Sequence, residues 1–140
     1  MGLVAACGGE TASTPSPSVQ ASTSASPSPL AFNIDPVTGT ASGMVEVFPG
    51  DASTTIEVKV TGLQANSSHV AHIHVGTCQQ PGGIAFALNQ VIADGQGLAD
   101  SRTTLNTKYP PATGHWYVVV HAGPDMQGTN ASYLLCGNLV

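Results

Sequence analysis

The chain has 140 residues, which suits one domain of ordinary size and excludes two. Charged residues make up 8%, about a third of the usual share, and the net charge is −5. The only basic residues, Lys59, Arg102 and Lys108, are scattered, which argues against a nucleic-acid surface or an electrostatic hold on anionic lipid.

The segment Leu3-Val4-Ala5-Ala6-Cys7-Gly8 reads as the end of a bacterial lipoprotein signal. Small residues before a cysteine fit a peptidase pocket, and the sulfur then takes the lipid. A full signal carries a basic start and an apolar stretch of about 7–15 residues. Only six residues precede Cys7, so residues 1–7 read as a truncated signal with Cys7 as the lipidation site, a chance likeness being the alternative. Residues 8–30 are nearly all Ser, Thr, Ala, Pro and Gly, with Pro15, Pro17, Pro27 and Pro29 among them. Such a stretch buries too little apolar surface to offset its ordering entropy and reads as a disordered tether. A diacylated cysteine would supply the two chains that stable anchoring needs. The expectation is an exported, membrane-anchored lipoprotein of the bacterial cell envelope. No apolar run approaches the length of a transmembrane helix, about 18 residues.

Residues 31–140 carry the domain. Strand signals fall at Met44–Phe48, which ends at the turn pair Pro49-Gly50, and at Ile56–Val60, where apolar and charged residues alternate strictly. His69–Val75 alternates again, and Ile84–Ala93 reads as a strand with a bulge. Asp94-Gly95-Gln96-Gly97 is a hairpin-type turn leading into Leu98–Leu105. Trp116–His121 and Tyr133–Val140 complete the set. No segment has a helical apolar period. Seven or eight short strands with Gly-rich connections imply an all-β sandwich or Greek-key barrel.

With Cys7 assigned to lipid, Cys78 and Cys136 remain as an even pair in an exported domain. A disulfide is the natural reading there, two buried thiols being the alternative. Among five histidines, His72 and His74 share a strand face with Cα atoms about 6–7 Å apart, so their rings can converge on one ion. An exposed strand can also carry such a pair without purpose. His121 ends the apolar run Tyr117-Val118-Val119-Val120 and can join the pair if the two strands are neighbours. His115 lies about 20 Å back along the same straight strand and cannot share that ion.

Several segments carry a resemblance. Gly62-Leu63 with His69-Val70-Ala71-His72-Ile73-His74 resembles the Gly-Leu…His-Gly-Phe-His-Val-His segment of Cu/Zn superoxide dismutases. Val91-Ile92-Ala93-Asp94 through Ala99-Asp100 resembles their Val-Thr-Ala-Asp-x-x-Gly-x-Ala-Asp hairpin. Val118-Val119-Val120-His121 with Asp125 resembles Leu-Val-Val-His-x-x-x-Asp, and Leu135-Cys136-Gly137 their Ala-Cys-Gly. The resemblance implies an eight-stranded Greek-key β-barrel, a Cys78–Cys136 disulfide, and one copper ion on His72, His74 and His121. It further implies that His69 braces the site from behind and that Asp125 accepts a hydrogen bond from a copper-bound histidine, His72 for preference.

Two departures qualify this. The stretch Cys78–Asn89, where the family carries its zinc ligands, has no titratable side chain apart from the cysteine, so the zinc site and the bridging histidine are expected to be absent. The family's anion-guiding arginine position holds Tyr133. Gly114-His115-Trp116-Tyr117-Val118-Val119-Val120-His121 and Ala71-His72-Ile73-His74 also look like chordin-type domains, relatives of similar β architecture. The cysteine pair and Asp125 favour the dismutase side. The implied function is a lipid-anchored copper-binding protein of the dismutase-like kind, with superoxide or copper ions as its partners and copper-only dismutation of reduced efficiency as its strongest form. The alternatives are a copper-buffering lipoprotein without turnover and a structural chordin-like β-domain without metal.

Overall fold

The computed structural model describes residues 28–139. The signal, Cys7 and almost all of the tether lie outside them.

Ten strands follow in order: β1 (Leu30–Pro36), β2 (Ser42–Pro49), β3 (Thr54–Thr61), β4 (Ser68–His69), β5 (Ala71–Val75), β6 (Ile84–Ala87), β7 (Val91–Ile92), β8 (Ala99–Leu105), β9 (Trp116–His121) and β10 (Tyr133–Asn138). Eight of them form one antiparallel sheet in the order β6-β5-β9-β10-β1-β2-β3-β8, and β4 pairs with β7. The hairpin-linked strands β1, β2 and β3 stand side by side, and β10 returns beside β1, which is a Greek-key arrangement. Strand β1 makes the corner: Leu30–Ile34 pair with β2, while Asp35 and Pro36 pair with β10. The two sheet edges approach each other through Asn89, which donates to the Arg102 carbonyl and accepts from the Ser101 hydroxyl. The result is the expected all-β architecture, a nearly closed eight-stranded barrel. No helix among the described residues is long and apolar enough to cross a membrane.

Strict alternation in β3 buries Ile56, Val58 and Val60 beside Val45 and Val47 of β2. The Asp94–Gly97 turn forms as expected. Asp94 Oδ1 accepts from the Gln96 and Leu98 amides, which holds its carboxyl below the usual range, and Gly97 supplies the positive φ of 80°. Two expected strands are each divided. His69–Val75 breaks at Val70, whose amide and carbonyl leave the β5 ladder for Gly123 and His121. Ile84–Ala93 is interrupted at Leu88–Gln90, so β6 pairs with β5 and β7 with β4. Strand β1, absent from the expected set, buries Ile34 alone.

Strand β9 positions the site. All six of its residues are buried. Trp116, Val118 and Val120 enter the barrel core, while Tyr117 and Val119 form a second cluster with Cys136, against which Cys78 and Tyr133 pack. The outer face of β5, β9 and β10 is therefore itself an interior.

Candidate metal centre

Alternation puts His72 and His74 of β5 on that outer face, opposite Val119 and Tyr117 of β9. Two residues beyond Val119 on the same face stands His121, opposite Tyr133 of β10. One ring nitrogen from each of His72, His74 and His121 lies within 4.8 Å of the others. Their residues are 8%, 4% and 1% exposed. The three expected ligand residues are thus brought together, and His115, exposed before the start of β9, is not among them.

The hydrogen bonds decide which nitrogens face inward. His74 Nδ1 lies 3.0 Å from the Gly82 carbonyl, and His121 Nδ1 lies 2.8 Å from the Ala131 carbonyl. A carbonyl only accepts, so both rings carry their proton on Nδ1 and turn the Nε2 lone pair to the cluster. His72 Nδ1 is 3.0 Å from His121 Nε2 and must be the donor of that pair. His74 Nε2 is then buried with no partner. Such an orphan costs about 1–3 kcal/mol. A metal ion on His72 Nδ1, His74 Nε2 and His121 Nε2 removes the mismatch once the His72 proton sits on its other nitrogen. Burial, with the neighbouring His121 and His74, lowers the His72 pKa to about 4. Burial also lowers that of His121. Both rings are neutral at ordinary pH, as metal ligation requires.

Two loops cover the rings. The loop after β5 reaches Gly82, held where a side chain on that residue would strike the Val75 carbonyl. The Gly82 amide donates to Tyr117 Oη at 3.0 Å, and Tyr117 Oη is 3.3 Å from the Gly82 carbonyl. Tyr133 Oη lies 2.9 Å from Tyr117 Oη. All groups are satisfied when Tyr133 donates to Tyr117 and Tyr117 donates to Gly82. Burial and this bond push the Tyr133 phenol up to about 12. The Tyr133 ring centroid is 5.7 Å from that of His74 and 5.5 Å from that of His121. Tyr117 was not singled out from the sequence. Its even spacing from His121 was the available signal, since residues 117, 119 and 121 share a face.

The Cys78–Cys136 disulfide is formed, with Cα atoms 6.1 Å apart, and it fastens the first loop to β10. His69, which the resemblance implies as a brace behind the site, bonds to the backbone of His121 and to Ser67. Its Nδ1 donates to the His121 carbonyl at 2.9 Å, and its Nε2 is 2.8 Å from Ser67 Oγ. It fixes the backbone of one ring-bearing residue without joining the cluster.

Asp125 is placed otherwise than expected. Its Oδ1 accepts from the Gln127 amide and from Asn130 Nδ2, both at 2.9 Å, and no imidazole is its partner. The carboxylate ties the second loop, whose residue Ala131 supplies the carbonyl to His121. Its influence on the site runs through that loop. The second nitrogens of His74 and His121 end on neutral carbonyls, and the carboxylate expected for preference at His72 is bonded within its own loop.

Two of the three basic residues are placed by ion pairs away from the rings. Lys59 pairs with Glu46 at 2.8 Å; Arg102 lies 3.6 Å from Glu57 and over the Phe48 ring. These side chains belong to β2, β3 and β8, across the barrel from β5 and β9.

Comparison with known proteins agrees on both resemblances. No curated protein sequence matches the chain. Among solved structures, a SOD-like protein from Bacillus subtilis superposes with a TM-score of 0.60 at 16% identity, over 79% of this chain and 97% of that one. A mutant of the SOD-like protein from Bacillus subtilis, with a histidine in place of a proline, gives the same values, a TM-score of 0.60 and 16% identity. At that identity the likeness is one of fold. The family model of the CHRD domain matches residues 19–127, well over half of the sequence. The chain belongs to the CHRD domain family.

Proposed function

We propose that the protein binds one copper ion through His72 Nδ1, His74 Nε2 and His121 Nε2, and that it does so as an exported lipoprotein anchored through Cys7. The observation that carries the metal reading is the orphaned, buried His74 Nε2 beside a His72–His121 contact of 3.0 Å. Three neutral imidazoles fit copper, which leads the divalent series on nitrogen donors. Three histidines with a water also suit zinc, so the identity of the metal is part of the test.

Copper would supply one-electron chemistry when bound. The protein's own residues orient the His74 and His121 rings through the Gly82 and Ala131 carbonyls and turn their Nε2 atoms to the cluster, and the His72 proton moves to its other nitrogen on binding. A second reading, slow superoxide dismutation, is favoured by the SOD-like fold of the structural neighbours. Against efficient turnover stands Tyr133 where an arginine would draw the anion, in a domain whose Lys59 and Arg102 are paired on the far sheet.

Equilibrium dialysis of the folded protein against copper and zinc, followed by metal analysis, tests the proposal. One copper per chain, not displaced by equimolar zinc and lost in His74→Ala, is the expected result. A stoichiometry near zero, or one unchanged by His74→Ala, would remove the copper reading. Superoxide turnover no faster than that of a copper–peptide blank would leave binding alone.

A further inference from the structure

Resting on the copper reading above, one feature of the site goes beyond it: the cluster supplies no negative charge. The outward nitrogens of His74 and His121 donate to the Gly82 and Ala131 carbonyls, which are neutral acceptors. A carboxylate in that place would make a bound ring more basic. Asp125, the acid nearest in sequence to His121, is held by Gln127 and Asn130. The rings packed on the site, Tyr117 and Tyr133, carry hydroxyls that bond to each other, and neither is a carboxylate. His74 and His121 are at most 4% exposed.

We infer that this is a cuprous site, built to hold Cu(I) in preference to Cu(II) or Zn(II). The cost of taking an ion out of water rises with the square of its charge, so a dication in this enclosure is penalised several times more than a monocation. A carboxylate or phenolate would offset that penalty, and the ring hydrogen bonds end on neither. Three-coordination by neutral nitrogen also satisfies Cu(I), whereas a divalent ion takes a fourth ligand. The Tyr133 ring packs edge-on against His121 at an interplanar angle of 87° and lies beside His74, so an aromatic face adjoins the cluster where water would otherwise stand. Its hydroxyl is tied to Tyr117, so the ring is held in place from both ends. The ion such a site favours is reduced copper.

Competition titrations on the full-length protein decide this. A Cu(I)-specific chelator is used under anaerobic, reducing conditions, and a Cu(II) chelator in air, with Zn(II) titrated alone. The expected result is a Cu(I) affinity at least about 100-fold above that for Cu(II), equivalent to a potential about 120 mV above that of the aqueous copper couple at 59 mV per tenfold. Tyr133→Ser opens the site to water, and the preference should shrink about tenfold, by about 59 mV. Tyr133→Phe keeps the ring and should keep the preference, and it also serves should the serine variant fail to fold. Equal or tighter binding of Cu(II) or Zn(II) by the wild type overturns the cuprous assignment and leaves the metal site standing. Failure to bind copper in either valence overturns the copper reading itself.

Discussion

Tyr117 stands directly opposite His74 across the β5–β9 pair, and its hydroxyl meets both the amide and the carbonyl of Gly82, the residue whose carbonyl accepts from His74 Nδ1. A ligand ring is thereby oriented by its cross-strand neighbour acting through a glycine on a covering loop. Tyr117→Phe removes the clamp while keeping the ring. Metal affinity should fall about tenfold, the lower end of what loss of such support costs. Competition titration measures it, with a thermal melt to establish that the barrel persists. Unchanged affinity would mean that Gly82 is held without Tyr117.

His69 and Asp125 should differ in kind. His69 donates straight to the His121 carbonyl, and His69→Ala leaves that buried acceptor unpaired, at about 1–3 kcal/mol of stability with a matching loss of metal affinity. Asp125→Ala only loosens an exposed loop, and about 1 kcal/mol or less is expected. In histidine NMR of the metal-free protein, Asp125→Ala should move the His121 ring signals most, and those of His72, its hydrogen-bonded neighbour, less. A larger movement of His72 than of His121 would restore the direct contact that the sequence suggested.

Acid should destabilise the metal-free protein through the same rings. The His72 pKa in the fold is about 4, against 6.5 for an unhindered ring, and that of His121 is shifted in the same direction. Between these values the unfolded chain binds protons that the fold excludes. The contribution is therefore complete above pH 6.5 and is lost as pH falls towards 4. Denaturant melts at about pH 7 and about pH 4.5 should show this loss, reduced in His72→Gln. A pH dependence identical in the variant would assign the effect to carboxylates.

Removing the disulfide with Cys78→Ala and Cys136→Ala together reopens a loop whose ends are 58 residues apart. On the chain-entropy model the loss is about 4 kcal/mol. Because the bridge anchors the loop carrying Gly82, metal affinity should weaken even in the fraction that stays folded. A double variant with full affinity would show that Gly82 is fixed by Tyr117 alone.

What could be read from the sequence follows from what each pattern encodes. Alternation made β3 legible, and with it the shared face of His72 and His74. The apolar run ending at His121 marked β9, because a strand buried on both faces has no polar interruption. Strand β1 was not legible. Only Ile34 is fully buried, the strand begins where the tether-like segment ends, and Pro36 closes it, so the periodic signal is nearly absent. The break at Leu88–Gln90 depends on Asn89 bonding across to β8, a long-range choice that no local pattern carries. Asp125 was misplaced because spacing from His121 fixes chain distance and not direction. A loop that turns its carboxylate onto Asn130 has the same spacing.

Three ring nitrogens hold the ion in this site, and nitrogen-resolved NMR of the histidine rings reads them directly, since Cu(I) is diamagnetic. On titration with one equivalent of Cu(I), the signals of His72 Nδ1, His74 Nε2 and His121 Nε2 should shift together and saturate at one ion per chain, while both nitrogens of His69 and His115 keep their positions within the small changes transmitted through the backbone. Saturating shifts centred on His69 or His115, or no shift at His74 Nε2, would contradict the account.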